Sequence, residues 1–411
     1  MVVGLDIGTT KVCAVIGERN ENGNLEITGV GSCPSTGLRK GVVVNIEATL
    51  RSVAQAIEAA ELMSGREVHG AWTGIGGSHI DGINSRGVVA VTGKNRETRE
   101  IDREDVERVL DAARAVVIPM DRQVLELIPQ TYIVDDQKGI RDPLDMIGVR
   151  LEAEVHIITC SVTSAQNLVK CVNRAGFRVE GLVLQSIAAG RAVLTNEEKE
   201  LGVALVDLGG GTTDVLVYSG GAPYSTTTIP AGGSLVTNDI SIVKSISFET
   251  AEKIKVEAGS CWEGIAPGDD VTVPGIGGRP TFSIPRYQIE EIIRPRMEEI
   301  FSMVKEKLDK LSPARPLGGG IVLTGGASRI PGAAELASYV FGLPTRIGVP
   351  FSLGGLVEEY QSPDYSTAVG LVLEGFEREG RAAEKAGEPG IGEKGPPLFG
   401  RLAEWLKKEF F

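Results

Sequence analysis

The same design occurs twice in this chain, and few folds have a use for it twice. Val2 to Ile16 reads as an apolar run, then Asp-Ile-Gly-Thr-Thr, then a second apolar run; Val203 to Tyr218 reads Val-Ala-Leu-Val-Asp-Leu-Gly-Gly-Gly-Thr-Thr-Asp-Val-Leu-Val-Tyr. Each pair of runs has strand length around a glycine-rich hinge, the pattern of a tight hairpin. Glycine removes the Cβ atoms that keep other groups away from a backbone. Amides freed in this way can point at an anion, and threonine hydroxyls add donors. Asp6 and Asp207 cannot hold a phosphate, but through water they can hold a divalent cation that touches one. By composition Asp6 matches Asp207, Gly8 matches Gly209 or Gly210, and Thr9-Thr10 match Thr212-Thr213. The plain alternative is two ordinary turns, where Asp is common. The repetition of the acid favours two hairpins gripping one polyphosphate from opposite sides. Gly8, Thr9, Thr10, Gly209, Gly210, Gly211, Thr212 and Thr213 are then phosphate contacts, and Asp6 and Asp207 orient Mg²⁺ through water. Lys11 either reaches a phosphate or ends a strand in solvent. Asp214 reads as a turn-stabilising or inter-lobe residue.

At 411 residues the chain exceeds one ordinary core, so two or more lobes are expected. A formal charge of −13 argues against a nucleic-acid binder. The five cysteines are scattered and read as reduced thiols of a cytosol, and the three histidines do not cluster as a zinc site would require. No apolar run is long enough to span a bilayer, and strand-like sequence at the start leaves no room for a signal peptide.

Asn45 caps a predicted helix carrying Leu50, Val53, Ile57 and Leu62 and ending at Gly65. Residues 80–159 lack a phosphate signature and read as an α+β insertion, with a helix from Asp102 to about Val117. Thr163 and Gln166 have capping-box spacing for the next helix. Two small-residue helices, Gln185 to Leu194 and Pro363 to Gly375, suit a close crossing between lobes. Ser247 caps a helix on which Glu252 and Lys255 share a face, as a solvated ion pair would. Ile289 to Leu308 form an amphipathic helix that Pro295 should kink or split. A third glycine turn, Thr324 to Arg329, follows a strand and places Gly325, Gly326 and Ala327 at the nucleoside end of the clamp.

Residues 377–397 are Gly, Pro, Glu and Lys with little to bury, and read as a flexible linker. Beyond it, Leu398, Phe399, Leu402, Trp405, Leu406 and Phe410 share one arc of a helical wheel, opposite Arg401, Glu404, Lys407 and Lys408. Such a helix suits a lipid headgroup boundary; the alternative is packing on the protein body or a partner. One short helix binds lipid modestly, so recruitment calls for several copies side by side.

Three glycine turns in this order resemble the actin, Hsp70 and sugar-kinase superfamily, over Val2 to about Gly375. Within it the chain most resembles the bacterial cell-division family FtsA. The resemblance rests on Leu5-Asp6-Ile7-Gly8-Thr9-Thr10-Lys11-Val12, the inserted subdomain, Gly232-Gly233 through Thr237-Asn238-Asp239-Ile240 with Ala251-Glu252-Lys253-Ile254-Lys255, and the amphipathic tail. It implies a two-lobed actin-like (ribonuclease H-like) α/β ATPase fold with an inserted 1C/SHS2-type α+β subdomain and a C-terminal amphipathic helix. The first lobe (1A) would comprise 1–79, 160–195 and 360–376, and the insertion 80–159. The second lobe would comprise 196–230 and 309–359 (2A) with 231–308 (2B), followed by linker 377–397 and membrane helix 398–411. ATP with Mg²⁺ would lie between the lobes, touching Gly233, Glu252 and Lys255 besides the turns, with Asp207 also near the chemistry. Where the family usually has Glu-Pro the chain has Gln185-Ser186. Gln185 would position water, as a weaker base, so any ATPase activity would be weak. The implied partners are a second copy in an actin-like filament, membrane lipids at the division site, and other division proteins through the insertion. The acidic C-terminal peptide of the tubulin homologue FtsZ would meet Arg286, Arg296 and Glu299. The rivals are a PilM-like pilus scaffold, a small-molecule kinase and an Hsp70-like chaperone. The kinase lacks an evident substrate lobe with a catalytic carboxylate, and the chaperone lacks room for a substrate domain.

Overall fold

The computed structural model describes residues 1–387 apart from 92–97, 265–267, 269, 274–279, 312–315, 352 and 356–359. In the first lobe, β1 (Val2–Ile7), β2 (Lys11–Arg19) and β3 (Leu25–Pro34) form an antiparallel meander. Helix α1 (Ile46–Ser64) then leads to β4 (Gly70–Ile75), which pairs parallel to β1. Asn45 caps α1 and left-handed Gly65 ends it, as the sequence predicts, but Leu62 points to solvent and is 80% exposed. It lies nine residues after Val53, on the opposite face of the helix from Val53, Ile57 and Ala60, while Ser64 in the same last turn still meets β3 at Gly29.

The insertion follows as β5 (Asp81–Ala90), α2 (Arg103–Arg114), β6 (Arg122–Val134), β7 (Gln137–Ile140) and β8 (Arg150–Ser161). Its sheet runs β7-β6-β8-β5, with α2 covering one face. Helix α2 stops at Arg114, short of Val117, which is fully exposed.

The chain returns to the first lobe as α3 (Val162–Arg174), β9 (Arg178–Leu184) and α4 (Gln185–Val193). The cap of α3 is Ser161, accepting from the Ser164 amide, and not Thr163. The long strand β8 delivers the chain directly into the helix, so the cap falls two residues earlier than the spacing of Thr163 and Gln166 suggests. Ser161→Ala should cost about 1 kcal/mol by denaturant titration.

The second lobe repeats the first. After α5 (Asn196–Leu201) come β10 (Val203–Leu208), β11 (Thr213–Ser219), β12 (Ala222–Ile229), α6 (Gly233–Lys244) and α7 (Phe248–Ala258). A hairpin, β13 (Val271–Val273) and β14 (Phe282–Ile284), leads to α8 (Arg286–Lys310), β15 (Ile321–Thr324), α9 (Ala333–Phe341) and β16 (Thr345–Ile347). The two five-stranded sheets have the same plan: β9-β4-β1-β2-β3 in the first lobe and β16-β15-β10-β11-β12 in the second. Strand β10 is buried on both faces, Val203 and Leu205 toward the first-lobe core, Ala204, Val206 and Leu208 toward the second. That is why it reads as an unbroken apolar run.

Pro295 does not split α8, which is continuous over 25 residues. The proline removes one backbone donor, but Ile289 and Ile293 before it and Met297 and Ile300 after it are buried in the same core. Finally α10 (Ser366–Gly387) crosses α4, with Gly370 against the Ala188 backbone, so the two small-residue helices meet as predicted. Helix α10 also runs through 377–387, where the sequence reads as linker. Arg191 holds Glu374 and Glu377 there, and Arg378 holds Glu374 and Glu126. The remaining linker, 388–397, and the tail residues Leu398, Phe399, Leu402, Trp405, Leu406 and Phe410 lie outside the described residues.

Candidate nucleotide cleft

The two hairpins meet at the bottom of a cleft between the lobes. Their hydrogen bonds fix how they correspond. In β1–β2 the Gly8 amide donates to the Lys11 carbonyl and Asp6 pairs with Cys13; in β10–β11 the Gly209 amide donates to the Thr212 carbonyl and Asp207 pairs with Asp214. Gly8 therefore corresponds to Gly209, Thr9 to Gly210, Thr10 to Gly211 and Lys11 to Thr212. The composition-based match of Thr9-Thr10 to Thr212-Thr213 is out by two residues, because hydrogen-bond register, not residue type, sets the equivalence. Thr213 is fully buried and donates to the Ala231 carbonyl, so it stabilises the lobe and does not line the cleft.

The hairpins also touch. A Cβ on Gly210 would lie 2.3 Å from the Thr10 side chain, and one on Gly211 would lie 2.7 Å from the Thr9 hydroxyl. These glycines are needed as much for the contact between lobes as for a ligand. The Gly209 and Gly210 carbonyls accept from the Gly233 and Ser234 amides at the start of α6, which pins the second hairpin to its own lobe.

The resulting cleft, about 280 Å³, is lined by the hairpins, Gly233, Glu252, Lys255, Gly325, Gly326 and Ala327. Three carboxylates converge on it. Burial pushes the Asp207 carboxyl up to about 7, helped by the charges of Asp214 and Asp6. Burial likewise pushes Asp6 up to about 6 against the pull of Lys11, and raises Asp214, which accepts from the Thr228 and Thr212 hydroxyls. Such a group of acids, short of positive charge, is a place where a bound cation relieves repulsion. Among the described residues no three His, Cys, Asp or Glu side chains stand close enough to cage an ion directly. Gln185 donates from Nε2 to Asp6 Oδ1 at 2.7 Å. Its amide is thus tied to the acid it follows in the cleft wall. A Cβ on Gly325, at φ +82°, would lie 2.2 Å from Asp207 Oδ1, so this turn must be glycine to let the acid sit beneath it.

At the other end Glu252 and Lys255 pair at 2.7 Å, and the Lys255 ammonium also donates to the Thr237 hydroxyl at 2.9 Å. Lys255 is buried while the Glu252 side chain is 43% exposed, and both line the cleft. Lys11 lines the cleft, but its ammonium donates to both the backbone and the carboxylate of Asp364 and sits 3.8 Å from the centre of the Tyr365 ring. Burial opposes ionisation of Asp364, yet Lys11 holds its carboxyl below the usual range. Sequence reasoning missed Asp364 and Thr367, the latter donating to Asp207 at 3.2 Å. Both belong to a stretch whose small residues read only as packing, and no local motif marks them.

Arg286, Arg296 and Glu299, which the resemblance offers to a partner peptide, stand apart from the cleft, on α8. Arg296 is held by Asp239 at 2.6 Å and by Glu299, so its guanidinium is engaged within the lobe. Arg286 opens the helix. Among the described residues no helix is long and apolar enough to cross a membrane.

Comparison with known proteins agrees with this architecture. Residues 204–370 match the family described as "Cell division protein FtsA", and residues 77–159 match "SHS2 domain inserted in FTSA". The cell division protein FtsA of Pseudomonas aeruginosa is 44% identical over 414 residues, covering 100% of this chain and 98% of the relative. Among solved structures, a PilM-PilN type IV pilus biogenesis complex has a TM-score of 0.64 at 19% identity, covering 91% of this chain and 98% of that one. MreB5 of Spiroplasma citri bound to ADP has a TM-score of 0.53 at 16% identity, covering 95% and 98%. These likenesses show the actin-like fold.

Proposed function

Because the chain belongs to the FtsA family of cell division proteins, we propose that it is an ATP-binding, self-assembling scaffold that ties the FtsZ ring to the inner face of the cytoplasmic membrane at the division site. The observation that supports nucleotide binding most directly is the meeting of Asp6, Asp207 and Asp214 beneath two glycine hairpins from different lobes. Gly8, Thr9, Thr10, Gly209, Gly210, Gly211 and Thr212 would hold the phosphates, and Asp6 and Asp207 the water shell of Mg²⁺. Glu252, Lys255, Gly233 and the turn at Gly325, Gly326 and Ala327 would hold the nucleoside. Bound Mg²⁺-ATP would supply negative charge for the amides and positive charge for the acids. Gln185 orients Asp6 and is a weak base, so hydrolysis is slow and the ligand serves as a clamp between lobes. Lys11 would reach a phosphate only by leaving Asp364.

Self-assembly lines up many weak tail helices, which is how a short amphipathic segment becomes a stable tether. The insertion would receive further division proteins. The acidic FtsZ peptide would engage Arg286 and exchange with Asp239 and Glu299 for Arg296. The full-length likeness to FtsA and the aromatic, basic tail favour this reading over a pilus scaffold.

Liposome co-sedimentation tests the tether. With ATP and Mg²⁺, the full chain should pellet with anionic vesicles, and a chain ending at Gly387 should stay in the supernatant. Equal pelleting of both, or of neither at assembling concentrations, refutes the tether.

A further inference from the structure

The insertion touches the second lobe through a short polar path that ends in the cleft. Strand β12 is the edge of the second-lobe sheet, and the insertion packs on its first half. Asn84 Nδ2 donates to the Tyr224 carbonyl at 3.0 Å, and Gln130 Nε2 to the Pro223 carbonyl at 2.9 Å. His156, 1% exposed, lies between Asn84 Oδ1 at 2.6 Å and the Thr226 hydroxyl at 3.0 Å.

The donors in this path can be assigned. Asn84 gives its amide hydrogens to Tyr224, so its oxygen accepts from His156 Nδ1. Burial holds the imidazole neutral, with its pKa pushed down to about 4, so Nε2 is left as an acceptor and the Thr226 hydroxyl donates to it. Gly82 makes the contact possible: a Cβ there would lie 2.4 Å from the Thr226 hydroxyl and 2.7 Å from His156 Cε1.

Two residues further along β12, on the same face, Thr228 is the cross-strand partner of Asp214 and donates to its carboxylate. One rigid strand therefore has His156 of the insertion on one threonine and an acid of the cleft on the next. Among the described residues the Asp214 carboxylate accepts from two hydroxyls, those of Thr228 and Thr212, so a shift of β12 changes half of this hydrogen-bonding.

We propose that Thr228 is a positioning residue for Asp214, and that docking of the insertion through Gly82, Asn84 and His156 on Thr226 sets β12 so that the cleft takes Mg²⁺ with nucleotide. The insertion and the cleft then influence each other reciprocally: a partner that pulls the insertion off β12 weakens Mg²⁺-nucleotide binding, and Mg²⁺-nucleotide binding tightens the dock. The inference rests on the nucleotide-binding reading and adds the residues that couple it to the insertion.

The test uses the full chain and calorimetric titration of ATP, once with Mg²⁺ and once with EDTA. Thr228→Val should weaken Mg²⁺-ATP binding about tenfold, because it removes a hydrogen bond to a carboxylate, and Thr226→Val about threefold, because it removes one to a neutral imidazole one step further from the cleft. Affinity without metal should change less than about twofold, and Thr226→Ser should restore wild-type binding. A general structural defect would lower both affinities and would not be rescued. As a second readout, the ring signals of the three histidines are followed by NMR, with that of His156 identified by its loss in His156→Gln. Addition of Mg²⁺-ATP should move it in the wild type and leave it unmoved in Thr228→Val. Valine variants that bind Mg²⁺-ATP like the wild type, or equal losses with and without metal, overturn the relay while nucleotide binding stands. A wild-type chain that binds no ATP overturns the nucleotide reading and the relay with it.

Discussion

Asp207→Asn is expected to lose Mg²⁺-dependent ATP binding by about 100-fold or more, since it removes the charged group proposed to hold the metal's water shell, and at the same time to melt at a higher temperature without ligand. Both effects have one cause. The Asp207 carboxyl is raised to about 7 from an ordinary value of 3.8, chiefly by burial and then by Asp214 and Asp6. The folded chain thus binds this proton more tightly than the unfolded chain. The group's contribution to stability falls as pH rises from about 4 to about 7, and the full cost of the buried charge is felt above that. Asparagine keeps the acceptor for Thr367 and removes the charge. A gain of about 1–3 kcal/mol at pH 8 is expected, small because the side chain is part-exposed to the cleft. In the wild type, Mg²⁺-ATP affinity should climb between pH 6 and 8 as Asp6 and Asp207 ionise, given their values of about 6 and about 7. Calorimetry across that range and a melting curve at pH 8 check both arms. Unchanged affinity together with an unchanged melting temperature would remove Asp207 from the metal site.

Gly370→Ala carries the largest expected effect on stability. The added Cβ would lie 1.8 Å from the Ala188 carbonyl oxygen and 2.3 Å from its carbon, both backbone atoms that no rotamer change can move. Helices α4 and α10 would have to separate, at a cost of about 3 kcal/mol or more. The damage should reach function before the fold is lost, because α10 also holds Thr367 against Asp207, and Asp364, just before it, holds Lys11. Gly380→Ala, on the same helix, meets nothing within 4 Å and should be neutral or stabilising by about 0.5–1 kcal/mol. Thermal melts of the two variants separate the crossing from general helix propensity. Similar melting of both would show that the helices have slack.

What the sequence disclosed about this site followed the range of each interaction. The hairpins were legible because their chemistry is local: acid, glycines and threonines lie within a few residues of each other, twice. The caps at Asn45 and Ser247 were legible for the same reason. The correspondence between hairpins was not, because it depends on a hydrogen-bond register that composition does not encode, and the two extra glycines of the second hinge, Gly210 and Gly211, misled the match. Asp364 and Thr367 enter the cleft only because Gly370 lets α10 approach α4, a contact between residues far apart in the chain. Lys11 looked available to a phosphate until the fold put Asp364 beside it. Glu252 and Lys255 could be paired from their spacing, but only the fold showed that Lys255 is buried and that both line the cleft.

The extension of α10 to Gly387 alters the geometry of attachment. Eleven residues counted as loose chain instead form a strut, advancing about 1.5 Å per residue and clamped at its base by Arg191 and Glu126. Only 388–397 then separate the strut from the predicted lipid-binding segment, and ten residues of any conformation span at most about 36 Å. Under the proposed tether, a connection this short would raise the effective concentration of the body at the bilayer surface. It would also limit how far a subunit could tilt away while its tail stayed inserted. If the chain is the proposed membrane-bound filament, neighbouring copies would share a standoff distance and one face toward the lipid, and the length of a helix would set the gap between the membrane and whatever the filament carries.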